Sequence, residues 1–175
     1  MDKKDKEKLI EELKEKIKGK TACVYSYGDI TRKAFLPPKY WSKNNNAKKN
    51  TKKLIEKVDN IIDLECELGK MFDDALEGNK QGIERHHFDA ISTLAKFIKL
   101  GIIPKDKMEY YVKIIHNAKR YAEKVSEIKD EFKRWDIIGT KQYSEVIDKT
   151  FNPFTKLIIE TVRKETSNKK LEEVI

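Results

Sequence analysis

The sequence predicts an all-α protein: an antiparallel helical bundle with an amino-terminal helix and a basic, largely irregular connecting segment. Three observations predict it. Apolar residues recur at helical spacing in successive segments, the connections between those segments are short, and only one stretch, TACVYSYGD, has strand character. A lone strand without a partner is unstable, so that stretch reads as extended chain closed by Gly28. The chain of 175 residues is long enough for one core without disulfides or metals. It reads as one domain: residues 1–20 an amphipathic helix, 21–50 a basic aromatic connection, 51–166 the bundle core and 167–175 a loose tail.

The elements follow from the apolar period. Residues 4–18 carry Leu9, Ile10, Leu13 and Ile17 as one narrow stripe in a highly charged sequence, so this helix must dock or fray. From Thr51, taken as the N-cap, Leu54, Ile55, Val58, Ile61, Ile62, Leu68, Phe72 and Leu76 repeat at helical spacing, and the stretch from Gly78 to Gly82 closes the helix. The next helix, over 83–100, places Ile83, His87, Ala90, Ile91, Leu94, Ala95 and Ile98 on one face, with Gly101 as its stop. A long helix over 106–134 follows, marked by Met108, Val112, Ile115, Ala122, Val125, Ile128 and Phe132, and Gly139 ends the stretch beyond Trp135. A short helix over 142–149 precedes a last one. There Asn152 is the N-cap, Pro153 the first helical residue, and Phe154, Leu157, Ile158 and Val162 the apolar face.

Charge is concentrated in one place. The 38 cations exceed the 30 acids by eight, and the stretch 31–53 holds eight cations with no acid: Arg32, Lys33, Lys39, Lys43, Lys48, Lys49, Lys52 and Lys53. The rest of the chain is formally neutral. Phe35, Tyr40 and Trp41 lie among these cations, and Pro37-Pro38 and Asn44-Asn45-Asn46 oppose helix. Rings that stack on bases beside ammonium groups that meet phosphates suit nucleic acid, which makes Tyr40 and Trp41 candidate contacts together with the eight cations. The competing reading tucks Phe35, Leu36, Tyr40 and Trp41 into the core and leaves the lysines solvated. Lysine supplies all but five of the cations, a bias that also arises from heat adaptation, so the basic pI is weaker evidence than one built on arginine.

The two cysteines, Cys23 and Cys66, do not make a disulfide framework and read as reduced thiols of a cytoplasmic protein. The first residues, MDKKDKEKLIEELKEK, have no apolar export segment, and no apolar run is long enough to span a bilayer, so no membrane partner is expected. No Walker-type loop, dinucleotide turn, nucleophile elbow or zinc-finger spacing is present, and the expectation is a non-enzyme without cofactor.

Two weaker patterns carry chemistry. Glu84 and His87 form one Glu-x-x-His step on one helix face, and His116 on the next helix, with Glu65 or Glu67, can face the same interior. Di-iron bundles use that step twice, so Glu84, His87 and His116 are minor metal candidates beside the reading of an ordinary interface histidine. Asp59, Asp63, Glu67, Asp73, Asp74 and Glu77 are similar to the magnesium-binding carboxylates of all-α nucleotide pyrophosphohydrolases. That family pairs its acids on two helices, whereas the next helix here offers only Glu84 and Asp89, so these acids read as balancing lysines on a solvated face.

The step Leu36-Pro37-Pro38-Lys39-Tyr40, between an amino-terminal helix and long helices, is similar to the helical domain of GINS replication proteins. Those proteins also carry a small β-domain, and the residues after Asp136 read as helix instead, so the similarity does not assign the chain to that family. The expected function is that of a helical accessory protein that binds nucleic acid or sits in a nucleoprotein assembly. The alternatives are a protein-interaction subunit, with a protein partner or a second copy of the chain, and, third, a metal-dependent helical enzyme.

Overall fold

The structure, a computed structural model, describes residues 49–172, with side chains over 52–165. The amino-terminal helix, the TACVYSYGD stretch, Cys23 and, of the basic segment, Arg32, Lys33, Lys39, Tyr40, Trp41, Lys43 and Lys48 lie outside the described residues. Those described form five α-helices and no strand: α1 (Lys49–Glu77), α2 (Lys80–Lys99), α3 (Met108–Ser126), α4 (Glu131–Asp136) and α5 (Lys141–Glu172). Short 3-10 turns, Lys105–Lys107 and Ile137–Gly139, precede α3 and follow α4.

Helix α1 is the centre of the packing, in contact with α2, α3, α4 and α5. Its Leu54, Ile61, Leu64, Leu68, Met71 and Leu76 are fully buried at helical spacing, which is the stripe that the sequence predicts, extended by Leu64 and Met71. Phe72 meets Phe151 and Tyr143 of α5, and Tyr111 of α3 meets Phe154 of α5 at ring-centroid distances of 5.5–6.4 Å. Between α1 and α5, Lys57 pairs with Glu165 and Glu65 with Thr155, so residue numbers fall along one helix as they rise along the other.

Glycine closes two of the helices as expected. Gly78 (φ +71°) and Gly101 (φ +69°) take the left-handed conformation that side chains resist. Around each, paired bonds satisfy the last carbonyls: Gly78 N–H to Ala75 and Asn79 N–H to Asp74 after α1, Gly101 N–H to Ile98 and Ile102 N–H to Phe97 after α2.

Four expectations need correction. The chain is already helical at Lys49, so Thr51 lies inside α1 rather than capping it, and Lys49, Lys52 and Lys53 belong to the helix. The long helix expected over 106–134 is broken after Ser126. Asp130 caps a new helix by accepting from Lys133 N–H at 3.1 Å, and the turn lets Trp135 enter the core, where it is 2% exposed. Pro153 does not start a helix but sits inside α5. A proline costs its own N–H bond to the preceding turn, and burial of Thr150, Phe154, Leu157 and Ile158 on either side offsets that loss. Finally, the backbone stays helical through Glu172, where the sequence suggests a loose tail from Ser167.

Arg134 joins the ends of α1 and α3. Its Nε donates to the Leu76 carbonyl at 2.5 Å and its Nη1 to the Ile128 carbonyl at 2.7 Å, so one cation satisfies an acceptor in the last turn of α1 and another in the loop that follows α3. Among the described residues no helix is long and apolar enough to cross a membrane.

Candidate functional site

The corner where α1 turns into α2 brings together charged groups that neither helix could hold alone. Asn79 is the N-cap of α2, its Oδ1 accepting from Gly82 N–H at 3.0 Å, while its Nδ2 donates to Asp74 Oδ1 at 3.2 Å. The other oxygen of that carboxylate rests on the α2 backbone: a Cβ at Gly82 would lie 2.2 Å from Asp74 Oδ2. Only a residue without a side chain lets α2 start this close to α1. The carboxylate thereby sits at the positive end of the α2 dipole.

One turn further along α2, His86 packs into the seam between the helices, 9% exposed. Its Nδ1 is 2.7 Å from Glu67 Oε2, and its Nε2 is 3.2 Å from Asp74 Oδ2, an approach too oblique to be a hydrogen bond. Asp74 Oδ2 is buried and has no hydrogen-bond partner. Arg85 Nη2 also reaches His86 Nε2 at 3.4 Å, and Lys70 Nζ lies 3.3 Å from the second oxygen of Glu67. The ring is therefore held at both nitrogens: Nδ1–H donates to Glu67, and Nε2 faces an acid and a guanidinium. Asp89, one turn beyond His86 and half-buried, completes the group, since one ligand-type atom each from Glu67, His86 and Asp89 lies within 4.8 Å of the others.

The minor metal candidates are arranged differently. His87 Nε2 and His116 Nδ1 do meet, at 3.1 Å, joining α2 to α3. Glu84 does not join them as a ligand, because its carboxylate is taken by Lys119 at 2.8 Å. That ammonium, first through its hydrogen bond, holds the Glu84 carboxyl below its usual range, and His87 is held below its ordinary value by burial first and then by Lys119 and His116. His116 is exposed, and Glu84, His87 and His116 do not converge as a set of three ligands.

Sequence reasoning weighed Glu67 and Asp89 but passed over His86, because it assigned His87 to the inner face. Either histidine fits a helical stripe that starts at Ile83 and passes Ala90 and Leu94. Phe97, fully buried, decides the register: the inner set is Ile83, His86, Ala90, Leu94 and Phe97, while Ala95 and Ile98 face water. The bulk of Phe97 against Ile98 was the one signal present in the sequence.

A second buried acid lies deeper. Glu65 is 6% exposed on the α1 face that meets α5, and its Oε1 accepts from the Thr155 hydroxyl at 3.4 Å. Burial pushes its carboxyl up to about 7, the Thr155 bond opposing the rise. The neighbouring Cys66 is half-buried, in no disulfide, and burial, followed by Asp63, pushes its thiol up to about 11. A thiol so reluctant to ionise is a poor nucleophile at neutral pH.

Of the basic candidates within the described residues, Lys52 and Lys53 are exposed on the first turns of α1. The ion pair between Lys57 and Glu165 places the end of α5, with exposed Arg163 and Lys164, at the same end of the molecule. No family model matches this chain, and neither a curated protein nor a solved structure matches it.

Proposed function

We propose that the protein is a helical accessory module, an antiparallel bundle, that binds nucleic acid through the segment running from Arg32 onto α1. The observation that carries this reading is the charge distribution: every excess cation of the chain lies between residues 31 and 53, and the last of them, Lys52 and Lys53, stand exposed where α1 meets the end of α5. A patch of this kind makes a local positive field even on an otherwise neutral protein, and Arg163 and Lys164 extend it. Exposed Glu56 on the same turns of α1 tempers the patch.

Tyr40 and Trp41 are the aromatic half of the reading, and a substitution experiment tests them. Their joint replacement by alanine should lower affinity for a short single strand by about 1–3 kcal/mol per stacked base while leaving the thermal midpoint unchanged. Unchanged affinity with a lowered midpoint would place both rings in the core and remove stacking from the account.

A second reading, a protein-interaction subunit, is favoured by one observation: Phe88 on α2 is 70% exposed and Tyr110 on α3 55% exposed. Exposed apolar side chains mark a partner site where they join into one contiguous patch. The two readings separate on whether the purified chain binds nucleic acid by itself.

A further inference from the structure

We propose that Glu67, His86 and Asp89 form a binding site for a first-row divalent transition metal on the seam between α1 and α2. The inference is independent of nucleic-acid binding and rests on the geometry of the seam. One donor atom from each residue lies within 4.8 Å of the other two. With metal–ligand bonds of 2.0–2.2 Å, ligands sit about 3.4 Å apart in a tetrahedral site, and about 3.0 Å (neighbours) or about 4.2 Å (opposite) in an octahedral one. His86 Nδ1 and Glu67 Oε2, at 2.7 Å, already stand near the spacing of neighbouring ligands, and Asp89, with a carboxylate oxygen within 4.8 Å of donor atoms of both, is the third.

A second observation points to the same ion. A ligating histidine donates its other ring N–H to an acceptor that fixes its orientation, and a carboxylate is the common choice. Here Asp74 Oδ2 waits behind the ring, buried, without a hydrogen-bond partner, 3.2 Å from Nε2. When a metal replaces the proton on Nδ1, the ring must carry its proton on Nε2, and a slight turn of the imidazole directs that N–H at Asp74. The orphaned oxygen is then satisfied. Asn79 and Gly82 hold the carboxylate in place for this role, the first by its hydrogen bond and the second by leaving room.

The donor set selects the class of ion. One imidazole and two carboxylates suit zinc, iron or manganese better than magnesium or calcium, which take oxygen alone. Lys70 holds the far oxygen of Glu67, Oε1, and Arg85 stands at the Nε2 side of the ring, away from the proposed ion. Three protein ligands leave the remaining positions to water.

The test uses the reduced full chain carrying Cys23→Ser, treated with chelator and then titrated with cobalt(II) and zinc(II) at neutral pH. Cobalt absorbance and calorimetry should report one equivalent bound. Asp89→Asn and His86→Asn should each weaken binding at least tenfold, and Asp74→Asn should do so without removing a ligand. Circular dichroism of Asp89→Asn should match the parent, since that side chain lies at the rim of the seam. His87→Asn with His116→Asn should leave the affinity unchanged. The proposal is overturned if neither metal binds, if the paired His87 and His116 substitutions abolish binding, or if Asp89→Asn, folded as the parent, binds as tightly.

Discussion

Arg134 Nε donates to the carbonyl of Leu76 across 58 residues of sequence, and the same guanidinium reaches the carbonyl of Ile128. The planar fork meets one acceptor on α1 and one in the loop after α3, a geometry that a lysine ammonium cannot reproduce. Arg134→Lys should therefore destabilise the protein by about 1–3 kcal/mol, the range for leaving a part-buried acceptor without its charged donor. Urea denaturation measures it. A variant within experimental error of the parent would mean that water replaces the guanidinium at both carbonyls.

Gly82 is a steric requirement of the corner between α1 and α2. Alanine is the better helix former, so in an open helix Gly82→Ala would stabilise. Here the new methyl collides with Asp74 Oδ2, which Asn79 holds, and the substitution should cost about 1–3 kcal/mol. Thermal unfolding of Gly82→Ala beside a Gly82→Ala, Asp74→Ala double variant checks the cause: the double variant should lose less than the sum of the two single losses.

Glu65 should make stability fall as pH rises. Its folded-state carboxyl stands near 7 against an ordinary value of 4.5, so between those limits the native state holds a proton that the unfolded chain has released. The contribution is harmless below about pH 4.5, grows unfavourable through the window and levels off above about 7, amounting to about 3 kcal/mol at most. Glu65→Gln keeps the shape and removes the charge. In chelator-treated protein it should be more stable than the parent at pH 8 and equal to it near pH 4. An equal pH slope in both proteins would contradict the assignment.

His87 should titrate below its ordinary value of 6.5, since burial, Lys119 and His116 all oppose its protonation. A base held neutral in the native state contributes stability above the unfolded value and loses it as pH falls through the lower, folded value. Proton resonances of the ring, followed between pH 4 and 8, should give a His87 midpoint below 6.5, and Lys119→Gln should move it upward. A midpoint at or above 6.5 would contradict the packing of His87 against His116.

Much of the architecture is legible in the sequence because helical period and glycine stops act locally. The stripe from Leu54 to Leu76 marks α1, and Gly78 and Gly101 end helices where they are expected to. The misreadings come where a tertiary contact overrules a local signal. Asn152-Pro153 has the form of a helix start, yet α5 runs through it because Thr150 and Phe154 are both buried. The unbroken apolar period past Ser126 hides a turn that only the burial of Trp135 and the reach of Arg134 require. At the corner site, Glu67 and Asp89 stand out as acids, but His86 takes its role from a helix rotation fixed by Phe97, and the orphaned oxygen of Asp74 is a fact of packing alone.

The salt dependence of nucleic-acid binding tests the central claim most directly. Fluorescence anisotropy of labelled single-stranded and duplex oligonucleotides, titrated with the full chain over a series of salt concentrations, gives the slope of log K against log salt. If about five lysines neutralise phosphates, the slope should be roughly −3.5 for single strands and −4.5 for duplex. Replacing Lys43, Lys48, Lys49, Lys52 and Lys53 by glutamine should remove most of it while the helical circular dichroism is kept. Absence of binding to either strand form at low salt, or a slope unchanged by the five substitutions, would contradict the claim.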